Sequence, residues 1–300
     1  MRRHFRLQGL PGPSALAIGN FDGFHAGHRR VLRLLAAQAR RRRLEAAVLT
    51  FHPHPRVFLG QDVRLIQTDA QRLEILSLQE LDHLFFIDFA AVAGIPAADF
   101  VSGVLLAALR ARLLVVGSDF RFGRGREGDL AFLRRAVAGR CAVVAAPDAV
   151  VDGRRVASSL IRRLLALGQV REASRLLGRP YCIDGIVVRG AGRGTELGFP
   201  TMNIDSANDI LPGGVFRTEL ELRAFPGRRL PSATFIGRAP AFTDPARPLR
   251  VETHVPGFRA SVYGRRVRLH FIAKIREEKR FAGAAELTAQ IRRDLDALGD

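Results

Sequence analysis

The sequence predicts an α/β domain built on a doubly wound parallel sheet, followed by a smaller antiparallel β-barrel with a terminal helix. Three observations carry this expectation. From Ala15 to about Ala146, short β-branched or apolar runs alternate with longer helical patterns, the signature of parallel strands joined by crossover helices. After Val151 a helical stretch runs into Gly178-Arg179-Pro180, a stop signal. Beyond it, strand-like runs are separated by Gly and Pro turns, which suits a small barrel. A chain of 300 residues is too long for one typical domain and right for two, expected at 1–178 and 179–300.

In the first half, strands are predicted at Ala15 to Ile18, Ala46 to Phe51, Leu84 to Ile87, Leu113 to Val116 and Ala142 to Ala145. Helices are predicted at Arg29 to Arg43, Asp69 to Glu80, Pro96 to Leu109 and Asp129 to Ala138, with Asp69 and Asp129 as N-caps. A helical stretch from Ser158 to Leu177, broken at Gly168, leads to strands at Ile183 to Arg189, Val215 to Leu222, Ala233 to Ile236, Val251 to His254 and Arg266 to Ile275. Leu287, Ile291, Leu295 and Leu298 at helical spacing predict a final helix over Ala284 to Leu298.

A net charge of +18 raises the question of nucleic acid, yet 45 of the 47 basic residues are Arg and only Lys274 and Lys279 are Lys. That imbalance reads as compositional bias, the Arg are spread along the chain, and the dense run Arg40 to Arg43 falls where a helix should end and favour cations. No nucleic-acid partner is expected. Cys141 and Cys182 lie beside apolar residues in or near strands and suit free thiols in a reducing compartment. With no charged-then-apolar leader and no apolar run long enough to span a bilayer, a cytoplasmic protein without membrane contact is expected.

In an open α/β sheet, ligands bind beyond the carboxyl ends of strands, where a loop feeds a helix N-terminus that attracts anions. Here that loop is Gly19-Asn20-Phe21-Asp22-Gly23-Phe24-His25-Ala26-Gly27-His28. Its glycines allow close backbone approach to phosphate, and His25 and His28, three apart, share a helix face from which both can donate to phosphate oxygens. The competing reading is zinc, with His52 or His54 of Phe51-His52-Pro53-His54-Pro55 as a third ligand, though no spacing supports it well. Two further segments follow. Gly117-Ser118-Asp119-Phe120-Arg121-Phe122-Gly123-Arg124-Gly125 suits a flat ring and a phosphate, or is a polar hairpin with one buried Phe. Arg155-Val156-Ala157-Ser158-Ser159-Leu160-Ile161-Arg162 places hydroxyls at a helix start between two Arg, more than an N-cap requires.

Taken in order, the His-x-Gly-His turn, the Phe-x-Pro-His-Pro segment, the Asp-Phe-x-Phe-Gly loop and a counterpart of the Ser-Ser-Thr-x-Ile-Arg motif resemble the adenylyltransferase module of the prokaryotic bifunctional riboflavin kinase/FAD synthetase family. The resemblance implies that His25 and His28 bind ATP phosphates together with Gly19, Phe21, Asp22, Gly23 and Gly27 of the turn. It further implies that Arg155, Ser158, Ser159 and Arg162 complete that ATP site, and that Asp119 and Phe122 contact the flavin. The family's first Ser is Ala157 here and its Thr is Ser159, which keeps a hydroxyl.

The second half resembles the riboflavin kinase module of the same family. Its strongest segment is Gly190-Ala191-Gly192-Arg193-Gly194-Thr195-Glu196-Leu197-Gly198-Phe199-Pro200-Thr201-Met202-Asn203. Backbone amides at Gly192, Gly194 and Gly198 can hold the phosphates of a second ATP, and Thr201 with Asn203 offers hard oxygen ligands for Mg2+. Glu252 in Val251-Glu252-Thr253-His254 either points into a barrel mouth or is an outward-facing strand carboxylate; the family's catalytic base falls there. Three positions depart from the family: Phe235 replaces an Asn, Ala241 a Thr and Phe216 a Tyr.

The resemblance implies two reactions, phosphorylation of riboflavin to FMN by ATP and adenylylation of FMN to FAD with release of pyrophosphate. A rival keeps only FAD synthesis, with the altered barrel binding flavin or playing a structural part. A second rival is a basic flavin-sensing or RNA-binding protein without catalysis, which leaves both residue sets unexplained.

Overall fold

The computed structural model describes residues 1–190, 192–238 and 249–298, so that Ala241 lies outside the described residues. The chain divides into two compact units, Met1–Ser158 and Ser159–Asp300.

The first unit is a six-stranded parallel sheet in the order β1-β4-β3-β2-β5-β6. Its strands are β1 (Arg2–His4), β2 (Ser14–Ile18), β3 (Glu45–His52), β4 (His83–Asp88), β5 (Ala111–Gly117) and β6 (Ala142–Ala146). The chain winds from β2 through β3 to β4 on one side, then places β5 and β6 on the other. The reversal opens a crevice beyond the carboxyl ends of β2 and β5, the position where such sheets bind ligands. Both faces are buried. Ala15, Ala17, Val48, Leu84, Leu113 and Val115 pack under Leu32 and Leu35 of α1 (Ala26–Arg42). The alternate residues Leu16, Leu49, Phe85 and Leu114 pack with Phe100, Val104 and Leu133. Burial on two faces is why these strands read as continuous apolar runs.

The remaining α-helices lying wholly within this unit are α2 (Pro55–Phe58), α3 (Asp69–Ser77), α4 (Ala90–Ala93), α5 (Ala97–Asp99) and α6 (Leu130–Ala136), with a 3₁₀ turn at Arg124–Arg126. The helix expected over Pro96 to Leu109 is α5 followed by a π-helical segment, Phe100–Ala108, closed by the Leu109 amide on the Val104 carbonyl at 2.9 Å. Asp129 caps α6 through the Phe132 amide at 2.8 Å, as expected. Asp69 does not cap α3. Thr68 does, in a reciprocal box with Gln71, which leaves Asp69 as the first helical residue.

The second unit begins with α7 (Ser158–Ala166), whose first residue closes the first unit, and α8 (Val170–Leu177), separated at Gly168 as its φ of +69° requires. The strands β9 (Tyr181–Val188), β10 (Met202–Ser206), β11 (Gly214–Leu222), β12 (Arg229–Gly237), β13 (Arg250–His254) and β14 (Arg266–Arg276) close an antiparallel barrel in the order β10-β13-β12-β11-β14-β9. Its interior carries a fully buried chain of hydroxyls: Thr218 bonds Ser232 at 2.8 Å and Thr234 at 2.6 Å, and Thr234 bonds Thr253 at 2.9 Å. The short helix α9 (Arg193–Glu196) lies between β9 and β10. The terminal helix α10 (Ala284–Asp296) is fixed to β14 by Arg276, which donates from Nε and Nη2 to Asp294 at 2.8–3.0 Å. A further two-stranded hairpin, β7 (Val150–Val151) and β8 (Arg154–Arg155), belongs to the first unit and carries Arg155.

Candidate active sites

The turn 19–28 joins β2 to α1 and lies at the reversal of strand order. It is a strained piece of backbone: Phe21 and Phe24 hold φ of +53° and +40° and Gly23 holds +83°. Both phenyl rings are buried, at 1% and 2% exposure, so their packing offsets the backbone cost. Asp22 is buried too, and its carboxylate accepts the amides of Ile66 and Gln67 at 3.0–3.2 Å. The imidazoles of His25 and His28 stack with centroids 3.8 Å apart and planes at 16°, and the edge of Phe21 meets His28. Any side chain at Gly27 would crowd the His25 ring, since a Cβ there would stand 3.1 Å from Cε1. A helix start with paired imidazoles and no acidic residue in its first turn is chemically suited to an anion.

Asp119 and Arg155 of this unit lie in the segments after β5 and β6. Asp119 and Arg155, drawn from separate motifs, approach to 3.6 Å. The sequence reading missed Asp148, which organises them: its carboxylate accepts Ser118 Oγ at 3.0 Å and Arg155 Nε at 2.9 Å. Its carbonyl receives Arg30 at 3.2 Å. Only its place just after β6 could have signalled this. Ser158 donates from Oγ to the carbonyl of Asp22 at 3.0 Å, which joins the helix-start motif to the turn. Ser159 and Arg162 follow on α7, three positions apart and so on one helix side. Phe122 is buried among Phe100, Phe120 and Phe132, and Phe120, stacked on it at 5.4 Å, is the more exposed ring. His52 stacks on Phe86, and His54 caps α2 by accepting the Arg56 amide at 3.2 Å. Among the described residues no three His, Cys, Asp or Glu side chains form a metal set. A second missed feature is the exposed apolar run Val57, Phe58 and Leu59, with Phe58 edge-on to Phe89; exposure of such a run is invisible in sequence.

In the barrel, strand register does the assembling. Asn203 on β10 lies directly opposite Glu252 on β13, and Glu252 lies directly opposite Phe235 on β12. Residues paired in this way share a sheet face with Cβ atoms about 5 Å apart. Val251 and Thr253 are buried inside the barrel, so alternation puts Glu252, Asn203 and Phe235 on its outer surface. Of the two orientations open for Glu252, the structure takes the outward one. The Gly-rich segment is pressed against Asn203 and Thr201. A Cβ on Gly190 would overlap the Asn203 amide, and one on Gly194 would stand 3.0 Å from Thr201 Oγ1. Gly192 and Gly198 hold left-handed φ of +74° and +82°. His254, unremarked in the sequence, donates from Nδ1 to the Pro200 carbonyl at 2.8 Å and so fixes the residue before Thr201. The Arg250 guanidinium stands 4.0 Å from the Glu252 carboxylate. Phe216, the third departure, is fully buried inside the barrel against Phe271.

Comparison with known proteins covers both units. Residues 8–160 match the family model described as FAD synthetase, and residues 177–299 that described as riboflavin kinase. A bifunctional riboflavin kinase/FMN adenylyltransferase of Escherichia coli (strain K12) is 35% identical over 284 residues, 93% of this chain and 90% of that protein. One of Bacillus subtilis (strain 168) is 31% identical over 299 residues, 97% of this chain and 93% of that protein. A crystal structure described as a macrolide-efflux protein from Streptococcus pneumoniae aligns with a TM-score of 0.89 at 25% identity, covering 100% of this chain and 98% of that one. No helix among the described residues here is long and apolar enough to cross a membrane.

Proposed function

We propose, on the premise that this chain belongs to the bifunctional riboflavin kinase/FMN adenylyltransferase family, that it phosphorylates riboflavin to FMN with ATP and then adenylylates FMN to FAD with release of pyrophosphate. Residues 1–178 carry the second reaction and residues 179–300 the first. The observation that supports the kinase step, against a barrel that only binds flavin, is the opposition of Asn203 and Glu252 on neighbouring strands. It sets a proton acceptor beside the amide oxygen of Asn203, a hard donor, on one surface.

In the barrel, Glu252 takes the proton of the ribityl hydroxyl as the oxygen attacks the γ-phosphorus of ATP and the bond to the bridging oxygen breaks, so that ADP leaves. The amides of the Gly192 to Gly198 segment hold the phosphates. Thr201 Oγ1 and the Asn203 amide oxygen would hold Mg2+, which neutralises phosphate charge when bound. In the first unit, the FMN phosphate attacks the α-phosphorus of a second ATP and pyrophosphate leaves. His25 and His28 donate to phosphate oxygens as charge grows, at a helix start that favours anions. Arg155 and Ser158 of the same unit complete the nucleotide contacts. Asp119, Phe122 and the more exposed Phe120 receive the flavin, with the apolar run Val57 to Leu59 as a second surface for its ring system. Cytoplasmic placement accords with Cys141 and Cys182 as thiols rather than a disulfide; burial pushes the Cys141 thiol up to about 11, which keeps it protonated.

The division of labour is tested by the double variant His25→Ala/His28→Ala, assayed with riboflavin and FMN offered separately. FAD formation should fall by about 10²-fold or more while FMN formation persists. Equal loss of both in a folded protein would sink the assignment.

A further inference from the structure

In sequence, Arg72 is one of several polar residues in the segment Asp69 to Glu80 expected to be helical. The structure buries it to 2% exposure, the largest fully buried side chain among the described residues. Its Nη1 donates to the Asn20 carbonyl at 3.0 Å, and its Nη2 to the Phe51 carbonyl at 2.6 Å and the Asp69 carboxylate at 2.7 Å. The guanidinium carbon lies 4.9 Å from the centre of the Phe86 ring.

Both carbonyls belong to segments that carry the candidate site. Asn20 is in the turn, and Phe51 precedes His52-Pro53-His54 at the end of β3. The same turn reaches back, because Asp22 receives the amides of Ile66 and Gln67 just before α3. Turn and helix are therefore tied twice, by an anion of the turn and by a cation of the helix. Burial lowers the Arg72 pKa while Asp69 and Asp22 oppose that shift, and an arginine so placed stays charged.

Stability gives little reason for such a residue. Its carboxylate partner Asp69 is 46% exposed, so the pair itself adds little, while burying the guanidinium carries a desolvation cost. The backbone gives a better reason. Phe21 is a non-glycine residue at φ +53°, a conformation that persists only where its surroundings over-determine it. In a planar trans peptide the C=O and N–H point in opposite directions. A guanidinium that holds the Asn20 carbonyl therefore aims the Phe21 N–H away from itself. We propose that Arg72 is a positioning residue for adenylyl transfer, holding the turn in its strained form and aligned with the end of β3. The proposal rests on the assignment of that turn to FAD synthesis.

The test uses the full chain with Arg72→Met and Arg72→Lys, measuring FAD formation from FMN and ATP, FMN formation from riboflavin, and Tm. Arg72→Met should lower kcat for FAD formation about tenfold or more with KM for ATP changed by less than about threefold, and FMN formation unchanged. The loss should persist at temperatures well below Tm. Arg72→Lys keeps the charge but reaches fewer acceptors, and should restore part of the loss. An unchanged kcat in folded Arg72→Met, or a loss that disappears on cooling, overturns the proposal. If Arg72→Met does not fold, Arg72→Lys decides: kcat lowered about threefold at unchanged Tm supports the role, and wild-type kcat overturns it. Absence of FAD formation by the wild-type chain would instead refute the assignment of the turn itself.

Discussion

In the first unit the candidate residues sit in loops beyond the ends of parallel strands; in the second, Asn203 and Glu252 sit within antiparallel strands. A loop does not inherit its geometry from a ladder of hydrogen bonds, so the turn 19–28 needs separate anchors: two buried phenyl rings, the Asp22 carboxylate on two amides, and Arg72 on the Asn20 carbonyl. A strand pair fixes its side chains by register, and Asn203 faces Glu252 because β10 and β13 pair as they do. The contrast shows where each site is vulnerable. The turn is exposed to loss of anchors remote in sequence, the barrel to anything that alters one outer row.

The sharpest way to separate the two is Glu252→Gln, which keeps the shape and removes the proton acceptor. FMN formation should fall by about 10²–10⁴-fold and FAD formation from supplied FMN should be unchanged, as read by chromatography of the products. Gly190→Ala probes the row by crowding. Its methyl group would overlap the Asn203 amide, so FMN formation should drop about tenfold or more, again without effect on FAD formation. Comparable losses in both reactions would mean that the sites are not separately built. Phe235→Asn works in the other direction: it places an amide beside Glu252, where the resembling family carries one, and should raise kcat/KM for riboflavin a few-fold. Unchanged or lower kinetics would show that Phe235 is adapted to this barrel.

The smallest effect concerns the far end of the first sheet. His4 Nε2 and His83 Nδ1 are hydrogen-bonded at 2.9 Å, Gln8 Nε2 donates to His4 Nδ1 at 2.6 Å, and the His4 ring stacks on Phe85 at 4.3 Å. Burial, with the nearby His83 and Arg2, lowers the His4 pKa below 6.5. Below pH 6.5 the unfolded chain therefore binds more protons than the folded one, and this contribution to stability is lost as pH falls through the folded-state value. His4→Phe, which keeps the stacking, should weaken the fall in Tm between about pH 7 and pH 5 by a few degrees. The barrel transition should be unaffected.

How much was legible follows the same contrast. Strands β2 to β6 were read within one or two residues because a sheet buried on both faces writes itself as apolar runs. The edge strand β1, with two Arg in three residues, and β10, where Met202 and Ile204 alternate with polar residues, carry too little apolar signal to be seen. The missed β10 matters most, because it is the strand that brings Asn203 to Glu252. Asp148 and Arg72 were missed for a related reason. Each looks like a surface residue until a distant segment supplies its partners.

The sequence by itself determined the two architectures, the turn with its paired His, and the Gly-rich segment before Thr201, because composition, local periodicity and ordered motifs are properties of neighbours along the chain. Only the tertiary structure decided that Glu252 faces outward beside Asn203 and Phe235, and that Arg72 is buried beneath the turn. Both depend on contacts between residues tens of positions apart, where register and burial are settled by packing as a whole.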